Sequence, residues 1–297
     1  MTFLSYLISG ISLGSVYAII ALGYTMVYGI AKMLNFAHGD VIMVGAYVCY
    51  LVFNNWGLPW WVSLIISMIV CTVLGIIIER LAYKPLRAAS SLAVLITAIG
   101  VSYFLQNAAL LLWTSSPKSF PTKFFDIGGE KGFTIFDGQL QISYTALVTI
   151  LCCIVIMVAL TLFTEKTKLG KAMRAVSENK EASQLMGINV NKTISITFAI
   201  GSGLAAIAGV LLCSAYPILQ PTTGSMPGIK AFTAAVFGGI GSIPGAFLGG
   251  ILLGILEIFA KAYISTQLSD AIVFAVLIVM LLVKPTGLLG KKIMEKV

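Results

Sequence analysis

The sequence carries little charge: Asp, Glu, Lys and Arg make up only 10% of its 297 residues, whereas 59% of the residues are hydrophobic. The mean hydropathy is +1.00. A water-soluble domain of this length could not bury so much apolar surface, so the composition predicts an all-α, polytopic membrane protein. The first charged residue is Lys32. We therefore expect no signal peptide, which would need a basic segment near the N-terminus.

Groups that serve catalysis or bind metals are also scarce. The single histidine, His38, lies near Asp40 without a third partner, and such a pair makes neither a metal site nor an intramembrane active site. The phosphate-binding pattern G-x-x-x-x-G-K-[ST] is absent. The cysteines all lie in apolar runs, which indicates small hydrophobic side chains instead of disulfides or metal ligands: Cys49, Cys71, Cys152, Cys153 and Cys213. We predict no catalytic residue, no metal and no cofactor.

Apolar runs predict the membrane spans, each of which needs about 20 residues, or fewer where the protein shields its own backbone. Eight candidates cover residues 4–30, 40–54, 60–79, 91–113, 144–164, 192–214, 245–262 and 269–283. A ninth segment, 229–241, is short and Gly-rich and is predicted as a full span or a half-span. The sequence therefore predicts a single transmembrane domain over residues 1–297, a bundle of about 8–9 spans that includes broken and Gly-rich helices.

Most of the Lys and Arg residues fall on one side of the membrane if the spans alternate. They are Lys32, Arg80, Lys84, Arg87, Lys166, Lys168, Lys171, Arg174, Lys180, Lys192, Lys284, Lys291, Lys292 and Lys296. The positive-inside rule assigns this side to the cytoplasm, and the same rule accounts for the net charge of +8 without a nucleic-acid partner. The N-terminus is then predicted outside and the C-terminus in the cytoplasm, provided that 229–241 crosses.

The longest segment on the predicted outer side is the loop 114–143. Its basic residues are balanced by acidic ones: Lys118, Lys123 and Lys131 against Asp126, Glu130 and Asp137. Two prolines, a Gly-Gly pair and several aromatic residues fit a short ordered cap or hairpin, and equally a plain connector.

Residues 23–47, GYTMVYGIAKMLNFAHGDVIMVGAY, place polar side chains within or beside predicted spans. Such residues are costly in lipid and tend to face protein or water. We therefore take Thr25, Asn35, His38, Gly39 and Asp40 as candidates for a solute path at a break between two helices. In this interpretation Gly39 permits the bend and Asn35 caps the free helix end. The alternative is a tight cytoplasmic turn, with Asp40 at the positive end of the next helix.

Residues 231–254, AFTAAVFGGIGSIPGAFLGGILLG, are rich in glycine, and Pro244 within them implies a kink or a turn. Small residues four apart allow close approach of helices: Gly241 and Gly245, Gly245 and Gly249, Gly250 and Gly254. Tight packing inside the bundle is one interpretation of the segment. The other is a solute path along bare backbone, with Thr233, Gly238 and Gly241 as candidates.

Residues 165–190 form a long charged interruption between spans. An apolar face at helical spacing is given by Leu169, Ala172, Met173 and Val176. Asn179 then predicts an N-cap, and a second helix of about seven residues ends at Gly187 with Leu185 and Met186 on its apolar side. Such a helix suits a groove on a partner protein. It equally suits the surface of the lipid headgroups.

Several motifs together resemble one transporter family. EASQLMG, at residues 181–187, resembles the E-A-A-x-x-x-G loop of ABC-importer permeases, with Ser183 at the second Ala. The Ile and Leu-Pro that usually follow are replaced by Thr197, Ala199 and Ile200. In the same order as in the branched-chain amino acid permeases (LivH type), the chain carries GISLGSVYAIIALGYTMVYGI, LNFAHGDV, ERLAYKPLR, RAVSENKEASQLMGIN and KAFTAAVFGGIGSIPGAFLGG. The resemblance runs from about residue 5 to KPTGLLG at 284–290.

The resemblance implies a non-enzymatic subunit of a bacterial inner-membrane importer, which forms half of the path for branched-chain amino acids. It implies a second homologous permease, two cytoplasmic ATPases that bind and hydrolyse the ATP, and an external solute-binding protein. The implied ATPase contact lies within the cytoplasmic coupling loop 165–190, and its residues are Glu181, Ala182 and Gly187, with Arg174, Glu178, Leu185 and Met186 as further candidates.

Two other functions stay open on the sequence alone. One is a permease of the same superfamily for another small solute, such as a sugar, urea or another amide. The other is a stand-alone ion-coupled carrier, in which His38, Asp40 and Glu257 would be the coupling groups. The predicted protruding, capped cytoplasmic helix distinguishes an ABC permease from a stand-alone carrier, because a carrier that works alone does not need such a helix.

Overall fold

The computed structural model describes residues 2–87, 89–121, 132–135 and 140–290. Its α-helices are α1 (Thr2–Ala31), α2 (His38–Trp56), α3 (Trp60–Ile78), α4 (Ser91–Trp113), α5 (Tyr144–Lys166), α6 (Lys168–Glu178), α7 (Lys180–Leu185), α8 (Val190–Ala215), α9 (Ser225–Gly238), α10 (Ile243–Tyr263) and α11 (Ser269–Val283). A π-helical turn (Glu79–Tyr83) and a 3-10 turn (Lys84–Leu86) continue α3. The described strands are β1 (Lys118–Ser119), β2 (Gly132–Ile135), β3 (Leu140–Ser143) and β4 (Ile218–Leu219).

Polar side chains determine where many of the helices begin. The first backbone N–H groups of a helix lack carbonyl partners within it, and a side-chain oxygen just before the helix can accept from one of them. In the described part of the chain six residues do this, each accepting from the amide three positions on: Ser90, Ser143, Thr167, Asn179, Asn189 and Ser242. The predicted cap at Asn179 is therefore confirmed.

The described chain is the predicted all-α polytopic bundle. Helices long and apolar enough to cross a membrane occupy Phe3–Ala31, Trp60–Leu86, Ser91–Trp113, Tyr144–Lys166, Val190–Ala215 and Ile243–Tyr263. Helix α11 is apolar but shorter, and the Gly-rich segment 229–241 lies largely in α9, a helix of 14 residues. The number of spans and the orientation of the termini stay predictions.

One end of the bundle, which we call the basic face, gathers the segments that carry most of the basic residues. Here α7 contacts the C-terminal end of α1 through Lys180 and Ala31, and the turn after α3 contacts the start of α8 through Arg87 and Asn191. The segment after α11 joins them, because the Leu288 amide donates to the last turn of α9. The tail residues Lys291, Lys292 and Lys296 lie outside the described residues.

The opposite end of the bundle carries the strands. β1 pairs antiparallel with β4, which joins the segment after α4 to the segment after α8. β2 pairs antiparallel with β3. Of the two interpretations of the loop 114–143, this pairing supports the hairpin. Several of its charged residues lie outside the described residues, namely Lys123, Asp126, Glu130, Lys131 and Asp137.

Helices α1 and α10 run antiparallel with their backbones in contact. A Cβ added to Gly14 would lie 2.7 Å from the Cα of Ile251, and a Cβ added to Gly254 would lie 2.7 Å from the carbonyl oxygen of Gly10. Real Cβ atoms essentially never approach other heavy atoms so closely, so these positions require glycine. We call this contact the glycine seam. It supports tight packing as the role of the Gly-rich segment.

Three other residues of that segment shape the connection between α9 and α10. Gly238, near the end of α9, lies against the first turn of α10, where a Cβ would approach the Ala246 amide to 3.0 Å. Pro244 occupies the first turn of α10, where its missing N–H costs nothing, so it produces a turn and no kink. Gly241 makes the reversal between α9 and α10 with a φ of 94°.

Helix α2 begins inside the bundle. The ring of its first residue, His38, lies against Gly23 in the last third of α1, and Gly39 packs against the backbone of Gly224 before α9. The expectation that Gly39 permits the bend is wrong, because the chain reverses at Lys32, which has a φ of 57°. Gly39 instead permits close approach: a Cβ there would lie 2.6 Å from the Gly224 carbonyl oxygen.

Asn35 does not cap α2, contrary to the prediction. The N-cap position is Ala37, and no side chain accepts a hydrogen bond there. The Asn35 side chain instead accepts a hydrogen bond of 2.8 Å from the Tyr83 hydroxyl, in the π-helical turn after α3. The Asn35 side-chain oxygen, which would have accepted the capping hydrogen bond, is therefore engaged by Tyr83 from a distant segment. The alternative interpretation, a tight turn at the surface before α2, does not hold as stated, because the first residues of α2 are buried.

Candidate functional site

Helix α7 and the turn after it present one exposed surface at the basic face. Leu185 and Met186 are 88% and 82% exposed, and Glu181, Ala182 and Gly187 are exposed as well. We call these five residues the α7 surface. Large apolar side chains this exposed on a polar, capped helix outside the spans suit a groove on a partner protein.

Local hydrogen bonds hold α7 in shape. The Asn179 side chain accepts from the Ala182 amide at 2.9 Å, and the buried Ser183 hydroxyl donates to the Asn179 carbonyl at 2.7 Å. Gly187 has a φ of 81°, which side-chain-bearing residues rarely adopt. Its amide donates to the Gln184 carbonyl at 3.0 Å. Ser183, the residue that departs from the E-A-A pattern, therefore strengthens the turn that it occupies.

Lys180 joins α7 to α1. Its ammonium donates a hydrogen bond of 3.1 Å to the Ala31 carbonyl, at the negative end of α1. Burial lowers the pKa of Lys180, and repulsion from Arg87 and Lys32 lowers it further. Sequence reasoning missed this contact because the two residues lie 149 positions apart and share no periodic pattern.

The predicted apolar face of α6 is only partly right. Met173 and Val176 are buried as expected, but Leu169 is exposed. The first turn of α6 packs on α5 through the neighbouring Gly170, where a Cβ would lie 2.5 Å from the Cα of Thr164. Adjacent residues of a helix point about 100° apart, so a contact at Gly170 turns Leu169 away.

Arg174 and Glu178 lie on α6 and are exposed. The Arg174 guanidinium donates to the Glu165 carbonyl at 3.2 Å. Within the described residues, no hydrogen bond joins either side chain to the α7 surface. Their part in a contact with an ATPase stays a prediction.

A second candidate site lies inside the bundle, where α2, α4 and α9 meet. The Gln106 side-chain amide donates to the Asp40 carboxylate at 2.9 Å, and it also contacts the hydroxyls of Ser102 at 3.3 Å and Ser225 at 3.2 Å. Asp40 is only 1% exposed. We call these four residues the interior cluster. In the described part of the chain the side chains that hold Asp40 are uncharged, which leaves its carboxylate able to pair with a cation.

Sequence reasoning found Asp40 but missed its three partners. A signal was present, because Ser102 and Gln106 lie four residues apart and so place two polar groups on one face of the apolar helix α4. Ser225 carries no comparable signal, since it stands at the start of a short helix among other small and polar residues.

The other candidates for a solute path do not join the interior cluster by hydrogen bonds. His38 Nε2 and the Thr25 hydroxyl are buried without a hydrogen-bond partner among the described residues. The His38 ring packs edge-on against Tyr24, with 4.7 Å between ring centroids. The Thr233 hydroxyl donates to the Ile229 carbonyl one turn earlier in α9, at 3.0 Å.

A charge network centred on the buried Glu257 and Lys230 ties four helices together in the half of the bundle away from the basic face. Lys230 of α9 lies 2.8 Å from Glu257 of α10 and 2.7 Å from Asp270 of α11. Lys261 lies 2.6 Å from Glu257, and the Tyr17 hydroxyl of α1 donates to Glu257 at 2.8 Å. Two ammonium groups and a phenol therefore occupy the Glu257 carboxylate. This arrangement fits a tie between helices and weighs against an ion-coupling role for Glu257.

No group of three or more His, Cys, Asp or Glu side chains could hold a metal ion within the ranges that the structure describes. The five cysteines are free thiols, four of them buried. That the protein itself needs no cofactor stays a prediction.

The chain is similar to named transport proteins over nearly all its length. The family described as branched-chain amino acid transport system, permease component, matches residues 6–281. The high-affinity branched-chain amino acid transport system permease protein BraD of Pseudomonas aeruginosa is 44% identical, covering 99% of this chain and 98% of that protein. The corresponding protein LivH of Escherichia coli is 43% identical with the same coverage. A probable branched-chain amino acid transport permease protein of Methanocaldococcus jannaschii is 31% identical, covering 92% of this chain and 88% of that protein.

Proposed function

The chain belongs to the family of branched-chain amino acid transport permeases, and from this membership we infer that it is the membrane-spanning permease subunit of an ABC importer for branched-chain, aliphatic amino acids. The observation that carries the inference is the identity of 43–44% to permeases named for this transport, over 99% of the chain. The family is one of transport proteins and not of enzymes.

The importer needs components that this chain does not supply. Because the sequence has no phosphate loop, ATP is bound and hydrolysed by two separate ATPase subunits. A second, homologous permease forms the other half of the path, and an external binding protein delivers the amino acid. We place the complex in the bacterial inner membrane, with the basic face toward the cytoplasm.

The α7 surface is the point at which the ATPases act on this subunit. Leu185 and Met186 insert into a groove of one ATPase, so α7 moves when ATP binding closes the ATPase pair. The hydrogen bond from Lys180 carries the movement to the end of α1. The glycine seam carries it on to α10, because backbones in direct contact cannot shift separately without opening a void. The path then opens to one side of the membrane at a time.

The interior cluster supplies the polar groups that bind the amino acid within the translocation path. An amino acid that crosses the membrane brings an ammonium, a carboxylate and, in this class, an aliphatic side chain. The Asp40 carboxylate can pair with the ammonium, and the Gln106 amide can donate to the carboxylate, while apolar spans around them accept the side chain. Glu257 cannot take the role of Asp40, since its own ion pairs occupy it.

Purification and reconstitution test the proposed function. Extraction of the chain with a mild detergent is expected to bring along two ATPase subunits and a second permease. In liposomes, the complex is expected to take up labelled leucine only when ATP is present on the ATPase side and the binding protein on the other. Leucine uptake driven by a proton or sodium gradient without ATP would contradict the proposed function. Uptake of a sugar or urea in place of leucine would support an ABC permease but contradict the proposed solute.

Gln106→Leu is expected to reduce the rate of leucine uptake about tenfold, because a hydrogen bond to a charged group is worth about 1.5–3 kcal/mol and 1.4 kcal/mol is a factor of ten. The measurement is the initial uptake rate per permease in membrane vesicles. Asn107→Leu is the matched control, since among the described residues this exposed neighbour donates only to the Tyr103 carbonyl of its own helix. Equal rates in the two variants would show that the path avoids the interior cluster.

A further inference from the structure

A cleft of about 480 Å³ opens at the basic face between the C-terminal end of α3 and the N-terminal end of α8. Three cationic side chains line it: Arg80, Lys84 and Lys192. Apolar side chains line it as well: Ile76, Ile196 and Ala199. The cleft belongs neither to the α7 surface nor to the interior cluster, and the transport mechanism makes no use of it.

The positive charge of the cleft is not neutralised by the protein. None of its lining residues is acidic, and in the described ranges the side chains of Arg80, Lys84 and Lys192 form no ion pair. The carboxylate of Glu79, which precedes Arg80 in the chain, is buried and already holds Arg87 and the Ser195 hydroxyl. Like charges gathered in one cleft repel each other, so an anion that binds there gains from all three.

The N-terminal end of α8 adds to this potential. Helix α8 has 26 residues and begins at the cleft, so the positive end of its dipole lies beside the three cationic side chains. The polar edge of the cleft is completed by the side chains of Asn189, Asn191 and Ser195. Side-chain amide donors next to cations are groups from which phosphate oxygens accept, whereas the Ser195 hydroxyl already donates to Glu79.

The cleft is graded from cationic to apolar along the bundle axis. Helix α3 runs toward the basic face, so Ile76 lies one turn deeper than Arg80. Helix α8 runs away from that face, so Ile196 and Ala199 lie one and two turns deeper than Lys192. On α3 the apolar surface continues outward through Val73 and Ile77, which are exposed. A free phosphate ion would contact only the cationic edge of the cleft and gain nothing from the apolar surface below it. A phospholipid fits both, with its headgroup at the cationic edge and its acyl chain on the apolar surface.

We propose that this cleft is a binding site for the phosphate headgroup of an anionic phospholipid in the leaflet at the basic face. The lipid phosphate pairs with Arg80, Lys84 and Lys192, and the first part of an acyl chain lies on Ile76 and Ile196. The lipid thereby bridges α3 to α8 next to the α7–α8 connection, at a junction that Arg87 and Asn191 already join.

Thermal unfolding of the purified full chain, with any subunits that accompany it, tests the site. The probes are dioleoylphosphatidylglycerol, dioleoylphosphatidylcholine and sodium phosphate, each added to the protein in neutral detergent. The phosphatidylglycerol is expected to raise the midpoint by about 3 °C or more, because a ligand that binds only the folded state stabilises it. The other two are expected to have no such effect. An equal rise with phosphatidylcholine, or with sodium phosphate, would overturn the proposal.

Matched variants place the effect in the cleft. The triple variant Arg80→Gln, Lys84→Gln, Lys192→Gln is expected to lose the rise. The control variant Lys166→Gln, Lys168→Gln, Lys171→Gln, which removes the same charge from exposed positions at the end of α5 and on α6, is expected to keep it. Native mass spectrometry of the single variant Lys192→Gln is a second measurement, in case the triple variant does not fold. It is expected to retain bound phosphatidylglycerol at several-fold lower occupancy than the unsubstituted chain. Unchanged occupancy would refute the site.

Discussion

Leu185→Asp combined with Met186→Asp is expected to abolish leucine uptake while leaving the permease folded in the membrane. Both side chains are more than four-fifths exposed, so their replacement removes almost no packing within the chain, and surface changes of this kind usually alter stability by less than about 0.5 kcal/mol. In a partner groove the same side chains are buried apolar anchors. Such anchors commonly contribute 2 kcal/mol or more each, which corresponds to a loss of roughly thirtyfold or more in affinity.

The measurements are uptake in vesicles and the ratio of ATPase to permease after purification, and both are expected to fall together. Leu169→Asp is the control, since it places an aspartate on an exposed leucine of the same charged segment, 165–190, but on α6. This variant is expected to keep both values close to those of the unsubstituted chain. If the double variant retains its ATPases and its uptake, α7 is not the contact, and a helix lying on the lipid headgroups becomes the better interpretation.

Gly254→Val is expected to prevent folding of the permease. The added side chain would overlap the backbone of Gly14 and lie 2.7 Å from the Gly10 carbonyl oxygen. A side-chain neighbour could rotate away, but a helix backbone can yield only if α1 and α10 separate along the seam. Overpacking a core costs about 1–3 kcal/mol where side chains can adjust, and we expect more here.

Gly100→Val is the matched control, because a Cβ at this position in α4 meets nothing within 4 Å. Both substitutions put the same β-branched residue into the middle of an apolar helix, so the difference between them isolates the seam. The measurement is the yield of monodisperse protein on size-exclusion chromatography after detergent extraction. We expect at least a tenfold lower yield for Gly254→Val than for Gly100→Val. Similar yields would mean that the seam is not a determinant of the fold.

The sequence allowed the outline of the fold to be predicted because its strongest signals are local. Long apolar runs predicted the spans, and the Asn179 cap with Gly187 eight residues later predicted the short helix α7. The α7 surface could therefore be predicted almost completely. Hydropathy and capping report on a segment and its immediate neighbours, and the α7 surface consists of one such segment.

Contacts between distant segments could not be predicted in this way. The start of α2 carried polar residues that fitted a capped, glycine-permitted bend, but Tyr83 takes the Asn35 oxygen and the reversal occurs at Lys32. The partners of Asp40 come from α4 and α9, and Lys180 meets the end of α1. Each of these pairings depends on which helices become neighbours. No period within a single helix contains that information.

The glycine seam also has a consequence for the order of biosynthesis. It joins α1, the first described helix to leave the ribosome, to α10, one of the last two, and the Tyr17–Glu257 hydrogen bond spans the same 240 positions. Closing so long a loop costs little more free energy than closing a loop of half that length, but it must wait for synthesis. Until α10 enters the membrane, the small-residue face of α1 has only lipid beside it. Nascent chains that stop before α10 would therefore expose this face to whatever other membrane helices lie nearby.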